Sequence, residues 1–275
     1  MFTDLLIISC ILLYGASTAA YCVFLFQQKK EMHDMGVFLL AGAFIVHAML
    51  VGTAFWRAGS IPVHNLHQTL SMAGWIFTGV YLVFHYRYRF RVLGIFTAPA
   101  ATAVMVISSR LPVEPAHLQE GFSSFWVLFH VVVILMGEAA FGLACAAGIL
   151  YLVQENALKT KRRGFFYNRL PSLELLDNIG YTCIINGFVL LTAGLIGGFV
   201  YARAIWGEFW SGDPKEFWSA VAWFFYAALL HDRLNARSGG RKSAIMAVIG
   251  FAVLLCTFVV ANFFISGHHQ PFTQW

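Results

Sequence analysis

The chain has 275 residues, 59% of them hydrophobic and only 11% charged, with a mean hydropathy of +0.71. So apolar a composition is more than a water-soluble domain can hide, and it places the chain among polytopic membrane proteins. The net charge of +5 collects in a few loops, so it reads as a topology signal and calls for no nucleic-acid partner.

Eight apolar runs are long enough to cross a hydrocarbon core of roughly 30 Å. They are 3–26, 36–56, 68–86, 92–109, 125–153, 180–201, 218–234 and 243–265. Lipid cannot satisfy backbone N–H and C=O groups, so each run is predicted to be a helix. The expected fold is all-α, a single integral membrane domain over 1–275 with about eight transmembrane helices. The first run lacks a basic stretch before it and a small-x-small cleavage site after it, so it reads as a membrane helix and not a signal peptide. The loops 27–35, 87–91, 154–179 and 235–242, with Arg233, carry 14 of the 18 Lys and Arg residues. The positive-inside rule then puts both termini outside, and with them the segment 202–219 between helices six and seven.

Taken in chain order, helix two carries His47 in FIVHAMLVG, an ionisable group in an apolar span with either a buried partner or a ligand. An outer segment, RAGSIPVHNLH, follows, and helix three ends at His85 beside YRYRF, where snorkelling to the interface is the simpler account. Helix five begins just before His130, which lies about 9 Å below the outer surface at 1.5 Å per residue. Glu138 in LMGEAAFG is a second buried ionisable group on that helix, suited to orienting a histidine or to staying neutral. The inner loop 154–179 joins a basic cluster to the amphipathic stretch SLELLDNI, which reads as interfacial. The five cysteines all fall in apolar runs without a CxxC pair, so they read as small hydrophobes and no thiol exchange is expected.

The segment WGEFWSGDPKEFWS concentrates aromatic rings and charges between two apolar runs, and the tail SGHHQPFTQW places His268 and His269 on the same outer face. Neutral imidazole is the common side-chain ligand of haem iron. Two histidines flanking an aromatic platform suit a planar porphyrin, with Lys or Arg to meet its propionates. The bland account is an interfacial aromatic belt with solvated loop histidines. A di-haem electron-transfer cytochrome would need histidine pairs on facing helices at two depths, and the chain offers at most one.

The string WGEFWSGDPKEFWSAVAWFFYAALLH resembles the tryptophan-rich "WWD" signature of cytochrome c assembly proteins, closest to the CcsA/ResC type of system II. HNLHQTLS is similar to that family's P-x-x-N-x-x-E-S segment. FHVVVILMGEAAFGLACAAGILYLVQE and GFAVLLCTFVVANFFISGHHQPF resemble its histidine-bearing helix and its last helix with the following GxHS. The resemblance implies that His130 and His269 are axial ligands of haem iron at the outer face. It also implicates His231, at the end of the motif's helix, in haem within the membrane; His47, from its own place in an apolar span, is a further candidate ligand. Trp206, Trp210, Asp213, Pro214, Lys215, Glu216, Trp218 and Trp223 match the haem-presenting segment. Two departures stand out: Gly212 where the family usually has Trp, and Gln68 where it has Glu.

What the resemblance implies is a haem-translocating and haem-presenting subunit of a cytochrome c haem lyase (synthetase), in the bacterial cytoplasmic (inner) membrane with its working face periplasmic. It would carry haem b transiently and non-covalently to the CxxCH thiols of apocytochrome c, no residue of its own being assigned to catalysis. Its partners would be a CcsB/ResB-like membrane subunit, a thioredoxin-like thiol reductant and the lipid bilayer. The alternative is a HemX-like membrane protein that binds haem and regulates haem biosynthesis at the level of glutamyl-tRNA reductase, attaching haem to nothing.

Overall fold

The computed structural model describes residues 2–112, 125–160, 165, 169–210, 212–236 and 239–263; for 205, 206, 214, 215 and 259–263 it describes the backbone alone. Among these residues every element is helical. The helices are α1 (Phe2–Gln27), α2 (Lys30–Ala58), α3 (Leu66–Tyr88), α4 (Gly94–Arg110), α5 (Phe125–Lys159), α6 (Leu173–Trp206), α7 (Pro214–Ala236) and α8 (Arg241–Phe263), with one 3-10 turn at Arg91–Leu93. Six stretches are long and apolar enough to cross a membrane: α1, α2, α4 with its preceding turn, α5, α6 and α8. Helices α3 and α7 have the length but carry too many polar residues, such as HQTLS at the start of α3 and PKE at the start of α7.

Most of the helices run past their apolar runs, because apolarity ends where lipid ends and a helix ends where its backbone is capped. The clearest case is the stretch read as an interfacial loop. SLELLDNI is the start of α6: Ser172 is the N-cap, its hydroxyl accepting from the Leu175 N–H at 3.3 Å. Helix α5 likewise continues to Lys159. At 35 and 34 residues these two helices are each about 50 Å long, well beyond a hydrocarbon core.

The chain divides into two compact units. In the first, α1 packs on α2 and α4, and α3 on α4 and α2. Its core is threaded by polar bridges, each tying neighbouring helices: Ser17 Oγ to the Gly36 carbonyl at 2.8 Å, Thr18 to Thr102 at 3.0 Å, and the Tyr21 and Tyr81 hydroxyls at 2.9 Å. In lipid such hydrogen bonds supply the specificity that apolar packing alone lacks. In the second unit, α5, α6, α7 and α8 surround the large buried rings of Phe141 and Tyr226, stacked with centroids 3.6 Å apart.

Arg233 on α7 locks the α6, α7 and α8 ends together. Its Nη1 and Nη2 donate to Asp177 Oδ1 and Oδ2 at 2.9 and 2.6 Å, and Nη1 also reaches Ser243 Oγ at 2.8 Å. The Gly240 N–H donates to the same carboxylate at 2.9 Å, and the guanidinium lies over the Tyr181 ring.

Candidate functional site

In the second unit, α5 and α6 meet along glycines. A Cβ at Gly187 would stand 2.8 Å from the Phe141 ring and 3.1 Å from the Gly137 carbonyl; one at Gly194 would be 2.7 Å from Ile134, and one at Gly197 2.7 Å from Phe129. Small residues at this spacing let two membrane helices approach backbone to backbone. His130 sits in this seam. Its Nδ1 lies 2.7 Å from the Gly194 carbonyl oxygen, and Gly198 leaves room for the ring, since a Cβ there would be 2.7 Å from it. A carbonyl can only accept, so Nδ1 carries the proton and the lone pair falls on Nε2. That is the tautomer an iron ligand needs, with the ring orientation fixed from behind.

Trp223 of α7 reaches the same level from the other side of α6. Its Nε1 donates to Thr192 Oγ1 at 2.9 Å and its ring tilts on Phe188 at 5.3 Å. Thr192 and Gly194 are two residues apart, about 200° around the helix, so α6 stands between Trp223 and His130. Trp223 is therefore held by packing at the level of His130, not stacked on the loop.

The segment between α6 and α7 is an exposed aromatic surface on a capped frame. Gly207 ends α6 with φ +80°, and Arg203 donates to its carbonyl while lying 5.5 Å from the Phe209 ring. Phe209, Trp210 and Phe217 are exposed, and Trp218 is half-buried against Phe217. Asp213 is buried at the N-cap of α7, its carbonyl accepting from the Phe217 N–H, and Pro214 takes the first helical position. Three residues on, Glu216 Oε2 accepts from the Gly212 N–H at 3.1 Å. The DPKE string thus starts a helix, and the Glu216 carboxylate serves that start. Gly212 has φ +75°, a conformation that tryptophan adopts only with strain. The departure there follows from the local backbone.

The other departure has the same logic. Asn65 caps α3 by accepting from the Gln68 N–H at 2.9 Å, and Gln68 Oε1 accepts from the His64 N–H at 3.0 Å. Gln closes this box as well as Glu does. His67 pins this turn to α4, with Nδ1 2.6 Å from the Ser108 carbonyl oxygen.

The remaining sequence candidates separate. His47 is buried in the first unit with both nitrogens engaged: Nδ1 with Tyr14 Oη at 3.1 Å and Nε2 with Ser71 Oγ at 2.9 Å. Iron could bind this ring only by displacing one of them. His231 is exposed on α7, with Asn235 Nδ2 donating to its Nε2 at 2.8 Å. It lies eight residues, about 12 Å, along α7 from Trp223, so it is not at the level of His130. Glu138 is likewise eight residues along α5 from His130, too far to orient it. The backbone places Trp206 at the end of α6 and Lys215 in the first turn of α7. His268 and His269 lie outside the described residues. The polar contacts behind His130 and Trp223 were not legible in the sequence, though the GLIGG string of α6 was the available signal for a tight helix seam.

Residues 63–269 match the family described as Cytochrome C assembly protein. "Cytochrome c biogenesis protein CcsA" of Microcystis aeruginosa is 31% identical, over 81% of this chain and 83% of that one. The protein of the same name from Guillardia theta is 30% identical over 90% and 88%, and that from Prochlorococcus marinus 32% over 89% and 86%. Among solved structures, the "Cytochrome c Heme Lyase CcmF" superposes with a TM-score of 0.67 at 14% identity, covering 94% of this chain. The chain spans about half of that structure's length, 49%, and at this identity the likeness speaks for the fold.

Proposed function

This chain belongs to the cytochrome c assembly protein family, and on that premise we propose that it is the subunit that carries haem across the membrane and presents it for attachment. The cargo is haem b, bound non-covalently; the acceptor is an apocytochrome c whose CxxCH thiols add to the vinyl groups outside the membrane. All eight helices span, both termini face outward, and the α6–α7 segment lies on the periplasmic side of the bacterial cytoplasmic membrane. A CcsB/ResB-like subunit and a thioredoxin-like reductant complete the system. The names of the relatives support assembly over a regulatory role in haem synthesis.

One observation carries the reading: His130 is held in a glycine seam with Nδ1–H on a backbone carbonyl and its lone pair on Nε2. His269 is the second axial ligand in this proposal, and the exposed rings of Phe209, Trp210 and Phe217 offer the porphyrin an apolar shelf. With no thiol of its own engaged, the chain would act by holding haem and thiols in register.

The test is the absorption spectrum and pyridine-haemochrome content of the purified protein, beside holocytochrome c yield in cells. The wild type should carry low-spin haem that acid acetone extracts, and His130→Ala and His269→Ala should each lose it together with maturation. A wild type without haem, or full haem content in His130→Ala, would overturn the proposal.

A further inference from the structure

At one end of the first unit, where α2 begins and α3 ends, two histidines face each other across an aromatic cage. The His33 and His85 ring centroids are 5.3 Å apart and the planes 31° from parallel. His33 is 3% exposed, and its Nε2 is buried without a hydrogen-bond partner. The edges of Tyr21 and Phe24 close around it at 5.9 and 5.2 Å. A buried nitrogen left unpaired is unfavourable, and a ligand would supply the missing partner.

The outer partners of both rings have the pattern seen behind metal-bound imidazoles. His33 Nδ1 is 3.0 Å from Asp34 Oδ1; an ionised carboxylate only accepts, so the proton is on Nδ1 and the lone pair on the orphan Nε2. His85 Nδ1 is 3.4 Å from Tyr81 Oη, whose hydroxyl is in turn 2.9 Å from that of Tyr21. A relay in which His85 Nδ1–H donates to Tyr81 and Tyr81 to Tyr21 frees the second Nε2 in the same way.

The spacing discriminates between metals. With metal–nitrogen bonds of about 2.0–2.1 Å, two imidazoles on a tetrahedral ion have ring centres about 5 Å apart. Trans imidazoles on a haem iron would need about 6 Å or more by the same geometry. We propose that His33 and His85 are two ligands of an open site for a divalent first-row transition-metal ion, with Asp34 and Tyr81 orienting the rings. Imidazole pairs suit Zn(II), Cu(II), Ni(II) or Co(II). Among the described residues no third metal-ligating side chain joins them, so water or an incoming ligand fills the other positions. Arg91 acts electrostatically on both His85 and Asp34, which favours an ion that arrives with an anionic co-ligand. In the topology proposed above, this end faces the cytosol.

The experiment uses the untagged full-length chain in detergent, stripped with chelator and titrated with Co(II) and Zn(II), with metal per protein read by mass spectrometry. Wild type should take up one more equivalent of each ion than His33→Ala or His85→Ala, and Co(II) should show ligand-field bands that both variants lack. Asp34→Asn, which keeps both ligands, should weaken binding about tenfold. His130→Ala should not change uptake, so that failure of the haem proposal and failure of this one are told apart. Equal uptake by wild type and both variants would overturn the site, as would loss of haem with metal uptake unchanged, which would hand the pair to haem. Should His33→Ala not fold, the bands and the Asp34→Asn shift decide, and their absence counts against the proposal.

Discussion

Arg233 grips Asp177 with two guanidinium nitrogens, at 2.9 and 2.6 Å, in a site where the side chains are 11% and 21% exposed. The pair closes α6 against α7, and through Gly240 and Ser243 it holds the turn into α8 as well. Removing one partner of such a pair leaves the other charge desolvated, which costs about 3–5 kcal/mol. Arg233→Ala should therefore lower the thermal midpoint in detergent by several degrees or prevent accumulation in the membrane. Arg233→Lys, a point charge without the fork, should recover only part of the loss. A midpoint unchanged in Arg233→Ala would show the pair to be neutral.

The room for the His130 ring depends on Gly198. Gly198→Ala places a methyl about where the ring now lies, and should lower haem per protein about tenfold while leaving the helix in place. Gly180→Ala is the control, since a Cβ there meets only Ala147 Cβ at 3.8 Å. Reduced-minus-oxidised spectra of both variants make the comparison; equal haem content would dissociate the seam from the ligand.

Asp213 stands just before Pro214, at the N-cap position of α7, where a carboxylate is a preferred residue. Asp213→Ala should destabilise α7 by about 1 kcal/mol, whereas Asp213→Asn, an equally good cap, should keep both stability and cytochrome c maturation. Should Asn fail where the fold is intact, the carboxylate itself is needed. Gly212→Trp should not restore a missing ring but cost about 1–2 kcal/mol through its positive φ, read as a lower midpoint than that of the wild type.

Burial in the turn before α3 lowers the pKa of His64, whose Nε2 lies 2.9 Å from Ser60 Oγ. The folded state thus prefers the neutral ring, and the unfolded state takes up the proton first as pH falls through about 6.5. Stability should be full above that value and decline below it, toward the lowered folded pKa. His64→Asn should flatten the profile of midpoint against pH between about 5 and 8; an identical slope in the variant would assign the acid sensitivity elsewhere.

The eight helices were legible because apolar runs mark lipid, and each run lies within or close to one helix. Their ends were not, because caps such as Ser172 and Asn65 are read from single side chains and not from hydropathy. At the site, the sequence carried His130 and the aromatic segment. It did not carry the Gly194 carbonyl behind the ring, because a backbone oxygen leaves no mark in residue identity. His47 shows the same limit from the other side: its partners Tyr14 and Ser71 come from helices 33 and 24 residues away. Their arrival makes a buried histidine a core residue. His85, expected to snorkel, turns inward onto His33 for the same reason.

The glycine seam leaves α6 with two flanks of opposite character. Val189 and Ile196 are 60% and 57% exposed, so in a bilayer they meet acyl chains, and one apolar residue there is nearly as good as another. Gly187, Gly194, Gly197 and Gly198 face a backbone or a ring at contact distance, where even one added carbon must move a helix. Saturation mutagenesis scored by membrane yield should show freedom and intolerance alternating with the helical period. The flank facing lipid can change its sequence freely, while the flank that shelters His130 is restricted to the smallest side chain available.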